Sequence, residues 1–160
     1  MAAAPSRPPY GSYATLVGVY SGGLAVAGLC ARVLRRDPAS DTTLDFALLA
    51  AASFKAARVI SHDRVASFMR EPLVEGTAYD GEDEEPAGTG MQRALGELVT
   101  CTRCIGTWTA AGLASTQILA PRFGRMLTWS LAASAANDFL QGAFAALTAK
   151  ANELEEFVSE

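Results

Sequence analysis

Apolar residues in this chain fall in long blocks, and the blocks have membrane-spanning lengths. Residues 13–31 hold no charge at all, close to the ~20 residues a helix needs to cross about 30 Å of hydrocarbon. Arg32, Arg35 and Arg36 close that block, so it reads as an uncleaved first span over 13–33 and not as a signal peptide, whose apolar core would be shorter. A second block, 43–60, is weaker because Asp45, Lys55 and Arg58 interrupt it. Lysine and arginine near one end can run their stems along the apolar face and keep the charge wet. The helical pattern continues to residue 70 and is expected to stop before Pro72, since the residue ahead of a proline disfavours the helical region.

Residues 72–90 carry Gly76, Gly81, Pro86, Gly88, Gly90 and six acidic side chains, the pattern of a flexible acidic loop. A short amphipathic stretch, 91–98, leads to Cys101 and Cys104, with Thr100 as the expected N-cap of a third span at 101–120. Residues 121–125 read as a tight basic turn, and 126–148 as a fourth span interrupted by Asn137 and Asp138. Ahead of all this, residues 1–12 contain Pro5, Pro8, Pro9 and Gly11 and little to bury, so they read as a disordered tail.

The expected fold is therefore all-α. It is a small helical membrane bundle of about four transmembrane helices, the second being the weakest, with an interfacial subdomain over residues 61–98, all within a single domain from 13 to 160. Composition agrees, because half of the 160 residues are apolar and only 19% are charged. The net charge of -4, with scattered basic residues and an acidic run at 82–85, points away from nucleic acid as a partner. Gly106, Ala110, Gly112, Ala114 and Ser115 would let helix backbones approach closely in lipid. The expected location is the cell membrane, multi-pass, with the lipid bilayer as environment and protein partners or a homo-oligomer alongside.

Candidate chemistry is concentrated in Cys101-Thr102-Arg103-Cys104. At a helix start, backbone N–H groups, the macrodipole and Arg103 all favour a thiolate. A dithiol of this spacing can close a disulfide or give two ligands to a metal. Zinc needs four donors, and His62, the only histidine, with Asp63 or Glu97 would complete a set, as would the same pair from a second copy. Both sulfurs also suit simple packing at a helix end, and the three readings stay open here. No cofactor is implied beyond this candidate zinc site.

The remaining polar candidates have plain alternatives. Cys30 reads as a small apolar residue of the first span, and His62 as a surface residue bonded to a polar neighbour, with no hydrolase motif around it. Asp138 is costly in lipid, so it is expected to face the bundle interior, paired with Asn137, Lys55 or Arg58; a proton or ion relay is the functional alternative. Trp108 is expected at the membrane interface, where indole is favoured. No complete catalytic set is present, which leans away from an enzyme.

A family pattern runs through these residues. Lys55-Ala56-Ala57-Arg58, Asp63-Arg64-Val65, Arg70-Glu71-Pro72, an acidic loop ending in Glu85-Pro86, and Gly96-Glu97-Leu98 stand in order ahead of the two cysteines. Trp108, Leu119-Ala120-Pro121-Arg122 and Asp138-Phe139-Leu140-Gln141 follow them. On these residues the stretch 54–147 resembles the actinobacterial branch of the bacterial membrane-protein family called domain of unknown function 1360. The resemblance implies a small bacterial membrane protein and brings no activity with it. One position departs: relatives commonly carry a proline directly after the first cysteine, where this chain has Thr102. A proline there would preset the first helical turn, so its absence leaves the geometry of the pair less fixed.

With four spans, Arg32, Arg35, Arg36, Arg122 and Arg125 share one side, cytoplasmic by the positive-inside tendency, and the cysteine pair faces outward where a disulfide persists. Arg58, Arg64, Arg70, Arg93 and Arg103 on the other side make that bias slight, and the pair changes sides if the second block does not cross. The expected function is a non-enzymatic scaffold or subunit of a membrane complex whose acidic loop contacts other proteins. The alternatives are a membrane thiol-disulfide oxidoreductase or a redox or metal sensor using Cys101 and Cys104, and a small channel or holin-like pore drawing on Asp138.

Overall fold

The structure, a computed structural model, describes residues 8–36, 42–76 and 84–159. It is all-α apart from one short strand pair. The helices are α1 (Tyr10–Val33), α2 (Thr43–His62), α3 (Ser67–Arg70), α4 (Gly90–Thr100), α5 (Thr102–Leu119) and α6 (Pro121–Ser159), and the strands are β1 (Val74–Glu75) and β2 (Glu85–Pro86). Among the described residues one helix, α1, is long and apolar enough by length and composition to cross a membrane. The expected four is thus reduced to one by that measure. The apolar runs of α2, α5 and α6 are diluted by Thr, Ser, Gln, Asn and charged residues.

Local chemistry sets the helix ends, several of them away from the expected places. Residues 10–12, assigned above to a disordered tail, form the first turn of α1, while residues 1–7 lie outside the described residues. The Thr42 hydroxyl accepts the Asp45 backbone N–H at 3.2 Å and the Asp45 carboxylate accepts the Thr42 N–H at 2.9 Å, a reciprocal capping box. Asp45, which looked like an interruption, therefore starts α2. Thr100 is not a cap: it is the last residue of α4, and its hydroxyl donates to the Gly96 carbonyl at 2.9 Å. Cys101 takes the extended conformation between the helices and is the N-cap of α5.

The turn expected at 121–125 is instead the beginning of α6. Pro121 occupies its first position, where a missing N–H costs nothing. Gly124 allows α6 to fold back tightly on α5, since a Cβ there would stand 2.5 Å from the Gln117 backbone nitrogen. From that turn α6 runs 39 residues without a break, about 58 Å at 1.5 Å per residue.

Helices α2, α5 and α6 form the core around Ala52, Leu113 and Ala132, with Leu48, Leu49, Leu127 and Leu131 packed against them. Among the described residues eight of the eleven buried apolar ones are alanine, so backbones and not large side chains meet inside. Large apolar side chains, among them Val17, Val26, Leu29, Phe144 and Leu147, point outward.

The segment expected to be a flexible loop at 72–90 is ordered at both ends, while 77–83 lies outside the described residues. Pro72 sits in a 3₁₀ turn, Glu71–Leu73, directly after α3, and β1 pairs antiparallel with β2 through Val74↔Pro86 and Glu75↔Glu85. Gly96 packs α4 on this pair, because a Cβ there would be 2.5 Å from the Leu73 carbonyl oxygen and 3.0 Å from Pro86.

Arg70 holds the arrangement. It is fully buried, and its Nε and Nη2 donate to the two carboxylate oxygens of Glu84 at 2.8 and 2.9 Å. Its Nη1 donates to the carbonyls of Ile60 and Asp63 at 2.8 and 3.2 Å, at the negative end of the α2 dipole. Removing one partner of such a pair strands the other charge. Arg70→Met is expected to cost about 3–5 kcal/mol in chemical unfolding in detergent micelles. Arg70→Met combined with Glu84→Leu should recover part of that, and a single-variant loss below about 1 kcal/mol would contradict this account.

Candidate functional site

Three features gather where α1 and α5 begin and α2 ends. The first is the cysteine pair. Cys101 and Cys104 are joined as a disulfide, with Cα atoms 5.2 Å apart. The Cys104 backbone N–H donates to Cys101 Sγ at 3.3 Å, which makes the sulfur the cap of α5. Cys101 is half-buried and Cys104 exposed, so an incoming group meets Cys104 first.

The second is a chain of hydroxyls that ties α5 to α2. Ser61 donates to the Ala57 carbonyl at 2.8 Å, which uses its one hydrogen. At the 2.9 Å Ser61–Thr102 contact the donor is therefore Thr102, and at the 3.0 Å Thr102–His62 contact it is His62 Nε2. Thr102 at the position after Cys101 thus does structural work that a proline has no hydroxyl to do. The same hydrogen order places a proton on Nε2 and leaves only Nδ1 with a lone pair.

That order bears on the candidate zinc set. A ligating cysteine is a thiolate, and both sulfurs are spent in the disulfide. Glu97 is engaged by Tyr13 and by Arg93 Nε at 3.0 Å, and Asp63 stands 4.0 Å from the Lys55 ammonium. Among the described residues no group of three His, Cys, Asp or Glu side chains stands close enough to hold a metal.

The third feature is a groove of about 470 Å³ between α1, α4 and α5, walled by Tyr13, Tyr20, Leu98, Cys104 and Trp108. Its lining is mainly apolar, with Glu97 as the charged exception. Trp108 meets the Tyr20 ring edge to face at 5.3 Å between centroids. The Glu97 carboxyl is held below the usual carboxylate range, first by the hydrogen bond it accepts from the Tyr13 hydroxyl and then by Arg93.

Asp138 lies on a separate face. Its carboxylate accepts from Lys55 Nζ at 2.7 Å, as one of the expected pairings has it, and Phe54 stacks on Phe139 at 5.6 Å beside it. Arg58, the other expected partner, lines the same cavity of about 460 Å³, whereas Asn137 is exposed. The lysine and aspartate bridge α2 to α6 and do not touch the groove beside Cys104.

The family described as "Protein of unknown function (DUF1360)" matches residues 48–144, a stretch that holds α2 from Leu48 onward, the strand pair, Cys101 and Cys104, and the part of α6 up to Phe144. The chain belongs to this family. No curated protein and no solved structure matches it. Sequence reasoning assigned Cys101, Cys104, His62, Trp108, Lys55, Arg58 and Asp138 and missed two pairings, Arg70–Glu84 and Tyr13–Glu97. Each joins residues far apart in the chain, and the only local signal was an arginine placed before Glu71-Pro72.

The Glu97 interaction has a definite pH signature. A carboxylate with a lowered folded-state pKa adds stability above its unfolded value of about 4.3 and loses it as pH falls through the folded value. Tyr13→Phe removes the main cause. Its melting temperature should lie below the parent's at pH 7 and converge with it as pH drops below about 4. Parallel curves from pH 7 to pH 3, followed by circular dichroism in micelles, would refute the link.

Proposed function

We propose that this chain is a small multi-pass membrane protein in which α1, α2, α5 and α6 cross the bilayer, acting as a non-enzymatic scaffold or subunit of a membrane complex. The inside-out distribution of side chains carries the reading. The chain exposes 11256 Å², against about 7,600 Å² for a compact water-soluble monomer of 16.7 kDa by surface-to-mass scaling. In α1 only 6% of the apolar window is buried. Alanine inside and leucine, valine and phenylalanine outside suits lipid, where close backbone packing replaces hydrophobic burial as the drive for association.

Single cysteines test the topology in a Cys30→Ser background, using a membrane-impermeant maleimide on intact and on permeabilised cells. Arg35→Cys and Arg122→Cys should label only after permeabilisation, and Glu75→Cys in intact cells. If all three behave alike, neither α2 nor α5 separates them across the bilayer and the four-span reading fails. The subunit role predicts a partner protein retained stoichiometrically in mild detergent; a monodisperse monomer with none would end it.

One observation favours a second reading, thiol-disulfide exchange: Cys104 is exposed and lines an apolar groove. A substrate thiolate attacking Cys104 would form a mixed disulfide and release the Cys101 thiolate, which the Cys104 N–H and the α5 dipole stabilise as leaving group. A second substrate thiol would complete the exchange, leaving substrate oxidised and both cysteines reduced. Cys101→Ser should then accumulate mixed disulfides through Cys104 under oxidising conditions, visible on non-reducing gels. Their absence would leave the bond as a staple across the first turn of α5.

A further inference from the structure

From Gln141 onward every described side chain of α6 is exposed, including the apolar ones. Leu140, Phe144, Leu147 and Leu154 keep between 56% and 73% of their surface free, and with Ala151 they recur at alternating steps of four and three. That is the a/d repeat of a two-stranded coiled coil, with Phe144 and Ala151 at a and Leu140, Leu147 and Leu154 at d. A lone helical segment of this length is marginal in water, and beyond Lys150 the sequence is charged enough to be in water. Lipid can cover Phe144 and Leu147, but Ala151 and Leu154 continue the same stripe past Lys150 with no described residue over them.

We infer that the partner is a second copy of this chain, docked in parallel through the 140–154 stripe of α6. Charge selects it. In this register Lys150 falls at g and Glu155 at e, five positions on, and in a parallel pair the g residue of one helix faces the e residue of the other at that offset. Two symmetry-related Lys150–Glu155 contacts follow. An antiparallel pair sets g against g and e against e, so Lys150 and Glu155, the one acid–base couple among the e and g positions of the stripe, cannot meet across it. Ala151, between the two contacts, leaves room for the helices to approach. Within one chain Lys150 bonds Glu153 at 2.9 Å, an exposed contact that exchanges at little cost. This surface stands apart from the disulfide and goes beyond the scaffold reading, which holds or fails without it.

The experiment uses the full chain in native membranes with Cys30→Ser. Two-fold symmetry brings each a position against its own copy, so Ala151→Cys should give a covalent dimer on mild oxidation, while Ala149→Cys on the opposite side should stay monomeric. Glu155→Lys in the Ala151→Cys protein should reduce the dimer several-fold, and adding Lys150→Glu should restore it. Cross-linking at neither position, as for a helix covered by lipid or another protein, overturns the proposal. Equal cross-linking at both overturns it too, as does a dimer indifferent to both charge changes.

Discussion

Burial of the Arg70 guanidinium is the constraint on which the cysteine end of the molecule depends. Taking an arginine and a glutamate out of water costs several kcal/mol per ion, and only a full set of hydrogen bonds offsets it. Both oxygens of Glu84 and the carbonyls of Ile60 and Asp63 supply that set, and among the described residues no buried side-chain polar atom lacks a partner. The pair fastens residue 84 to the end of α2, and the strand pair follows from that closure. Gly96 then seats α4 on Leu73 and Pro86, α4 stops at Thr100, and Cys101 arrives where Thr102 can reach Ser61 and His62. Without the buried pair, α4 would be a loose amphipathic helix and the disulfide would have no fixed relation to α2.

A different rule governs the other end. There the contacts are between small residues: Ala52 and Ala132 meet Leu113, Gln117 donates to the buried Thr128 hydroxyl at 2.7 Å, and the Thr109 hydroxyl reaches the Ser53 carbonyl at 3.1 Å. Close backbones make such short polar side chains effective, since a threonine hydroxyl cannot span a gap held open by leucines. The cost is that the large apolar residues must go outside. In water each would forgo about 1.5–3 kcal/mol of burial, whereas in lipid there is nothing to forgo.

Helix existence was legible because block length and charge placement are local properties. All four long helices lie where the apolar blocks are, and α4 lies on the amphipathic stretch before the cysteines. Helix ends were less legible. Asp45 read as a defect in an apolar run when it is half of a capping box, and Thr100 read as a cap because threonine commonly is one, although the extended backbone at Cys101 gives that role to sulfur. The acidic segment looked uniformly mobile because glycine and glutamate dominate it. Nothing local marks Glu84 as a glutamate with a buried arginine opposite. Nor could spacing reveal that Thr102 carries the hydroxyl linking α5 to α2, since that depends on where α2 ends in space.

Asp138 shows how a helix boundary changes a functional reading. Placed within residues 126–148, it sat in mid-span, where a carboxylate invites a proton or ion pathway. With α6 beginning at Pro121 and continuing to Ser159, the middle of the expected span no longer marks the middle of anything. Its partner Lys55 is the better gauge. Lys55 stands seven residues before the end of α2, about 10 Å along the axis, and its ammonium is also 4.0 Å from Asp63, beyond that end. In the proposed bilayer arrangement both groups lie within reach of the headgroup region, where an ion pair needs no bundle interior to shelter it. The pair then serves to register α6 against α2, and Phe54 stacked on Phe139 beside it fixes the same register by apolar contact. An ion pathway would need polar groups continuing from Asp138 toward the α5–α6 turn, and of the α6 side chains buried there, Thr128, Ala132 and Ala135, the one polar group is Thr128, whose hydroxyl accepts from Gln117.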